Sequence, residues 1–366
     1  MALKIANTAA TNELIASLGR VRNRPCDTCL IADAIDTVLN GEKCMTYQYI
    51  LVTALTAKAT EPLVDMLSLQ VDDPSDGAYA PRSLCKEVVY PFQKSMLDDA
   101  IDGANNDPLV NKPARFLRLS KDNQARGDGR RALIALCDSL PLVKTQDDAR
   151  TCLDYVMTRL LRIADEKQRQ RKAIADAVKS SSATDLRVFL SSLLDQGFGG
   201  DALVLAVSAL YRIQYPESEG YKVIPHPVNQ PGSSNRQLSD LDLEKNGAPF
   251  LGTELKDKPF TVDDVRHAAT TAAAGNVSGV LFVSGRSGSL NDQTQAYFAT
   301  VRQEFAKKGV YVGICDVDAL MDIVLATHRD INVAEVLQGI YDQVCENAGT
   351  PETQLWVYSQ LVSLSK

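Results

Sequence analysis

The sequence predicts an α/β (α+β) fold, largely helical over residues 1–198 and alternating between helix and strand over residues 199–366. Three observations carry that prediction. Apolar positions in the first half recur at helical spacing, as in Leu30, Ile31, Ala34, Ile35 and Val38. The glycine-rich segment QGFGG ends the last of these helical runs near residue 200. Beyond it the segments read α-β-β-β-α-β, the alternation expected of a sheet covered by helices. A chain of 366 residues is long enough for two such domains or one large one.

Taken in order, residues 12–71 read as helices, and DDPSDGAYAPRS then breaks the pattern with prolines and glycine. A helix resumes near Ser83 and carries Val88, Val89 and Phe92. An irregular basic stretch follows, from Asn105 to Arg130, before helices from Arg131 to Leu140, Asp147 to Val178, and Thr184 to Asp195. The second region opens with a helix from Asp201 to Tyr211. Strands are expected from Tyr221 to Val228, Arg236 to Leu243, and Pro249 to Asp257. Thr261, with Asp264 three residues on, forms a capping box with Asp in place of the usual Glu or Gln, and that helix ends near Gly275. VSGVLFVSG is a buried strand, Asp292 to Lys307 a helix, and Val310 to Cys315 a further strand.

Composition narrows the function classes. Hydrophobic residues make up 45% and charged residues 23%, the proportions of a globular protein. The longest apolar run, near Ala202 to Leu210, is too short to span a bilayer, and the N-terminus lacks the pattern of a signal peptide, so a cytoplasmic protein without membrane contact is expected. Eight cysteines in helical-looking apolar stretches point to reduced thiols rather than a disulfide framework. Cys26 and Cys29 form a CxxC, but no second CxxC or CxxH follows at the spacing of a zinc site. A net charge of −7 argues against indiscriminate nucleic-acid binding over the whole surface. A local basic groove remains open: residues 112–131 hold seven basic residues (Lys112, Arg115, Arg118, Lys121, Arg126, Arg130, Arg131) against Asp122 and Asp128. Such an excess suits phosphate contacts. A solvated loop explains it equally well.

The chemistry is concentrated around the turn signal KNG. Leu241, Leu243, Leu251 and Leu255 are all odd-numbered, and a strand buries alternate residues on one face. For the leucines to share a face across the hairpin, paired positions must sum to an even number, as a three-residue loop over Lys245 to Gly247 would give. Asp240, Asp242, Glu254 and Lys256 then fall on the opposite face, with Asp240 one diagonal step from Glu254. Two carboxylates and an ammonium on one side of a small sheet suit phosphodiester hydrolysis. Hard oxygen ligands hold Mg²⁺, which activates water and offsets phosphate charge, and a lysine nearby can orient or help deprotonate that water. An ExK tripeptide alone also fits a solvent-facing strand edge.

The stretch SDLDLEKNGAPFLGTELKDKPFTVDDV resembles the core of a PD-(D/E)xK nuclease, and YAPRSLCKEVVYPF and NNDPLVNKPARFLRL resemble SacI-type type II restriction endonucleases. The resemblance covers roughly Ala78 to Val312. It implies a restriction-endonuclease-like core of mixed sheet flanked by helices, following a helical N-terminal region that binds and reads DNA. It further implies Mg²⁺-dependent cleavage of double-stranded DNA at a short palindrome such as GAGCTC, a homodimer whose twofold axis matches that of the target, and a cognate DNA methyltransferase as functional partner without a stable complex. Asp240, Glu254 and Lys256 are the expected catalytic residues. Asp240 and Glu254 are the expected metal ligands, with Asp242 in reserve because no PD dipeptide marks the first aspartate.

Other polar residues fit either role. Arg82 and Lys86, one helical turn apart, can contact phosphate together or form a solvated helix face. Lys112, Arg115, Arg118 and Lys121 are the DNA-contact candidates of the basic stretch. Glu217 and Glu219 beside Pro216 read as a surface turn, His226 as a structural hydrogen-bonding residue, and His267 as a surface or packing residue. Two rivals stand beside a restriction enzyme: a DNA-repair or recombination nuclease with the same core, and a nonenzymatic DNA-binding protein in which the ELK strand is incidental.

Overall fold

The computed structural model describes all residues except 1, 43, 102–106, 227–238, 290–291, 329, 347–349 and 365–366, and the side chains of 292–296 and 351. The chain divides into two compact units, Met1–Gln170 and Arg171–Lys366. The sequence pattern puts the change at residues 197–200 instead, because there the periodicity switches. The structural division falls earlier, inside a helix whose sequence runs on unbroken.

The first unit is helical. It contains α1 (Asn7–Asn23), α2 (Ala32–Leu39), α3 (Met45–Thr60), α4 (Pro81–Leu84), α5 (Tyr90–Met96), α6 (Gly127–Ser139) and most of α7 (Gln146–Val178). Between α4 and α5 the residues Cys85–Val89 form a π-helical turn, so the helix expected near Ser83 does form but is locally unwound. Leu14, Ile35, Leu51, Leu55, Leu133 and Leu153 are buried together in its core. All eight cysteines are free thiols, and Cys26 directs its thiol hydrogen at main-chain carbonyls, at 3.3 Å from that of Thr28 and 3.8 Å from that of Thr151.

The second unit continues with α8 (Ala183–Gln196) and α9 (Asp201–Gln214), then β1 (Tyr221–Pro225), β2 (Leu241–Lys245), β3 (Ala248–Lys256), α10 (Val262–Ala274), β4 (Gly279–Ser284), α11 (Asp292–Ala306), β5 (Tyr311–Asp316), α12 (Val317–Thr327), α13 (Val333–Glu346) and α14 (Pro351–Ser363). The five strands form one mixed sheet in sequence order. β1, β2 and β3 run antiparallel, and β3, β4 and β5 run parallel. The expected continuation of β1 to Val228 and start of β2 at Arg236 lie outside the described residues. The Thr261–Asp264 capping box is present, and Ser182 with Asp185 builds another before α8.

Side-chain alternation gives the sheet a core on each face. Leu241 and Val283 pack with residues of α8, α9, α12, α13 and α14, and Leu251, Leu255 and Leu281 join them. Val280, Phe282 and Val312 pack instead against α10 and α11, through Val265, Ala269, Val301 and Phe305. The leucine face inferred from parity therefore exists. The pairing behind it differs: Leu241 opposes Thr253 and Leu243 opposes Leu251, which puts Asp240 level with Glu254 and not the expected diagonal step away, and a bulge between Leu243 and Glu244 shifts the register so that Lys245 opposes Ala248. The turn is thus the two residues Asn246 and Gly247, at φ of 52° and 77°, rather than three. Asn-Gly is the pair that adopts two successive positive φ angles at lowest cost. Phe250, which breaks the alternation, packs its ring against Tyr215 and Tyr221.

Candidate functional site

Central strand β3 carries Glu254 and Lys256, and Asp240 sits in the bend that leads into β2. Three contacts bring these residues together. The Leu255 N–H donates to Asp240 Oδ2 at 3.0 Å. Lys256 Nζ donates to Glu254 Oε2 at 2.8 Å and lies 3.6 Å from Asp240 Oδ2. Asp240 precedes the first ladder pair of β2, so its carboxylate reaches across to the main chain of β3 instead of following the pleat. The side chains of Glu254 and Lys256 are 16% and 22% exposed, whereas Asp240 is 41% exposed and forms the open edge of the group.

The electrostatics follow from crowding. Burial pushes the Glu254 carboxyl above the usual glutamate range, and the neighbouring Asp240 charge pushes it the same way, while Lys256 opposes both. Burial alone lowers the Lys256 ammonium, yet the Glu254 charge and hydrogen bond, followed by Asp240, raise it overall. Lys256 is therefore a cation in this arrangement, one positive charge set against two carboxylates. His267, exposed on α10, contributes a small favourable field at Glu254.

Asp242, the alternative to Asp240, has its oxygens in a separate buried network. Its Oδ2 lies 2.8 Å from His226 Nε2, and its Oδ1 accepts from Ser239 Oγ at 2.6 Å. Nothing in the alternation pattern singles out Ser239, because a serine shortly ahead of a strand reads as turn chemistry. Glu217 and Glu219 form an exposed single 3-10 turn after α9.

Among the described residues no cluster of three or more His, Cys, Asp or Glu side chains is shaped to hold a metal ion. Asp240 and Glu254 supply two. That number suits Mg²⁺, which is commonly held by one or two carboxylates while water and substrate phosphate complete its shell. The donor chemistry also fits, since a divalent cation would favour the ionised Glu254 against the burial and the Asp240 charge that raise its carboxyl. A cavity of about 860 Å³ elsewhere in this unit is lined by Arg212, Glu217, Glu335 and Asp342 and includes none of the three candidate residues. A concave pocket is what a small molecule needs. A duplex requires an open surface.

Three of the basic candidates of the first unit, Arg82, Arg118 and Lys121, are engaged by acidic neighbours distant in sequence. Arg82 makes a forked contact with Asp107, at 3.0 and 2.6 Å. Arg118 bridges Asp65 at 3.0 Å and Asp73 at 3.2 Å. Lys121 pairs with Asp138, Arg131 with Asp128, and Arg115 donates to the Val110 carbonyl at 2.6 Å. Lys86 and Lys112 are exposed, with no ion pair among the described residues.

Comparison with known protein families accounts for most of the chain. The family model described as the SacI restriction endonuclease N-terminal domain matches residues 9–164, and that of the C-terminal domain of the same enzyme family matches residues 178–286, a span that includes Asp240, Glu254 and Lys256. No curated protein matches the chain.

Proposed function

The chain belongs to the SacI restriction endonuclease family, and we propose from that premise that it is a cytoplasmic, homodimeric type II enzyme that hydrolyses both strands of DNA at a short palindrome with Mg²⁺. Membership makes it a nuclease that binds DNA. The proposal adds that the second unit is a PD-(D/E)xK core, that Asp240 and Glu254 hold the metal, and that Lys256 completes the active site.

The observation that carries this reading is the meeting of Lys256 Nζ with Glu254, at 2.8 Å, and with Asp240, at 3.6 Å, near the end of the central strand. Mg²⁺, when bound, lowers the pKa of water and offsets phosphate charge. The residues do the positioning. Glu254 lies on the central strand with its carboxylate mostly buried and held by the Lys256 ammonium. Asp240 is fixed by the Leu255 amide, so the two carboxylates present their oxygens together. Lys256 brings a cation and three N–H donors to the same place, where it orients the attacking water and neutralises charge that builds on the phosphate oxygens. As an ammonium it does this by hydrogen bonding and charge rather than as a base.

A twofold axis relating two subunits would place one such site on each strand of a palindrome, and a cognate methyltransferase would protect that palindrome in the cell. Incubating supercoiled duplex plasmid with and without Mg²⁺ tests the reading directly. Discrete linear fragments that require Mg²⁺ are expected. A smear would indicate a nonspecific or structure-directed nuclease, and intact plasmid at every metal concentration would remove the catalytic assignment.

A further inference from the structure

Asp240 has to be held without the help of a strand ladder, because β2 begins one residue later, at Leu241. Its own carboxylate is fixed on one side by the Leu255 N–H at 3.0 Å. Its main chain is fixed on the other: the Asp240 carbonyl accepts the His226 N–H at 3.0 Å. His226 follows β1 directly, and its ring reaches Asp242 Oδ2 at 2.8 Å. A carboxylate only accepts, so His226 Nε2 is the donor. The second oxygen of Asp242 accepts from Ser239 Oγ at 2.6 Å, and Ser239 Oγ itself accepts the Thr253 N–H at 2.9 Å. Ser239 and Asp242 are both more than nine-tenths buried. These contacts form a continuous tie from β1 through the start of β2 to β3, anchored on both sides of Asp240.

We infer that His226, Asp242 and Ser239 are positioning residues that hold Asp240 beside Glu254, and that Asp242 acts through this tie rather than as a metal ligand. The inference rests on the reading of Asp240 and Glu254 as the metal-holding pair. Asp242 has both oxygens committed to donors in a buried pocket, whereas Asp240 is the more open of the two. Loss of the His226 ring frees the Asp242 carboxylate, and the Asp240 carbonyl then keeps only the main-chain N–H of residue 226, with no ring to brace that stretch of chain against β2. Partners one layer behind a metal ligand commonly change metal affinity or activity by 10–100-fold when removed.

The test uses Ca²⁺, which fills oxygen sites, and follows retention of a duplex DNA fragment by the full-length protein on a filter as Ca²⁺ is titrated. The Ca²⁺ midpoint reads the metal site without any cleavage, and retention at saturating Ca²⁺ reads the DNA surface. His226→Ala is expected to raise the midpoint by about 10–100-fold while affinity at saturation stays native. His226→Gln, whose amide nitrogen replaces Nε2 as donor, is expected to return it to within a few-fold of native. Ser239→Ala, which keeps the histidine but breaks the far end of the tie, is expected to raise it as well and serves if His226→Ala fails to fold. A native midpoint in whichever of the two alanine variants folds would overturn the inference. So would Asp242→Asn matching Asp240→Ala in full loss of metal response while His226→Ala and Ser239→Ala remain native, since Asp242 would then be a ligand itself. A native midpoint in Asp240→Ala and Glu254→Ala would instead remove the site reading, and this inference with it.

Discussion

At the scale of single residues, Glu254 and Lys256 hold each other directly, Nζ to Oε2 at 2.8 Å. Glu254→Ala and Lys256→Ala should each reduce cleavage by about two to three orders of magnitude or more, the range seen when a preorganised charge is removed from a reacting centre. DNA retention at saturating Ca²⁺ should persist, because both side chains are proposed to act at the scissile phosphate and not at base edges; near-native cutting by either variant would end the assignment. The same crowding has a cost in stability. The Glu254 carboxyl is raised above the ordinary value of 4.5 by burial and by Asp240. Its ionised form is therefore disfavoured in the folded state at neutral pH, and that penalty fades as pH falls through the raised value toward 4.5. Glu254→Gln should accordingly be more heat-stable than the natural protein at pH 7, with Tm rising about 2–4 °C for each kcal/mol relieved, and the gap should close near pH 4. Thermal scans of both proteins at several pH values check this; a lower Tm for the variant at pH 7 would show that the ion pair with Lys256 outweighs burial.

Elements explain what the residues alone do not. Lys256 ends β3, and the segment after β4 is folded back onto it: Gly285 N–H donates to the Lys256 carbonyl at 2.9 Å. A Cβ on Gly288 would fall 2.0 Å from that same carbonyl oxygen, so only glycine fits without moving the lysine main chain. Gly288→Ala should cost roughly a hundredfold in cleavage, as a displacement of about 1 Å at a catalytic group does, while far-UV circular dichroism remains native. Unchanged activity would mean that the loop yields instead of the strand. Much of this architecture was legible in the sequence, because local rules dominate it. The Thr261 cap and the buried VSGVLFVSG strand each depend on residues within a few positions of one another, and the leucine parity needs only the strand's alternation of faces, which holds whatever the exact register. Two features were not. The bulge after Leu243 trades a three-residue loop for Asn246-Gly247 plus an extra residue, and both solutions keep the leucines inward, so hydrophobic pattern cannot distinguish them. The tie through Ser239 depends on a partner in β3, fourteen residues away, that only folding reveals.

Over the whole molecule the same contrast governs charge. The excess of basic residues between Lys112 and Arg131 looks like a phosphate-binding surface when counted along the chain. In three dimensions Arg118 lies against Asp65 and Asp73, Lys121 against Asp138, and Arg82, outside that stretch, against Asp107. Lys86 and Lys112 are better candidates for phosphate contact. Replacing both with alanine should weaken cognate and noncognate DNA alike and flatten the log–log salt dependence by about 0.9 for each phosphate that is no longer neutralised. Arg118→Ala should act differently: it leaves the fully buried Asp73 side chain short of a donor, at a cost of about 1–3 kcal/mol in folding. Binding isotherms at several salt concentrations, beside urea melts, separate the two effects, and an unchanged salt slope in the double variant would place the groove elsewhere. The strand order has a further consequence, for the cell that makes this protein. By the time residue 256 is synthesised, every group proposed to cut DNA already exists, yet β3 still has a bare edge. That edge is closed only by β4, which is covered in turn by β5, and parallel pairing requires the intervening helices α10 and α11 to be in place first. α12, α13 and α14, which fill the core beneath the leucine face, come later still. A chain growing on the ribosome thus carries the residues proposed to cut DNA well before the strands and helices that complete the sheet around them have been made.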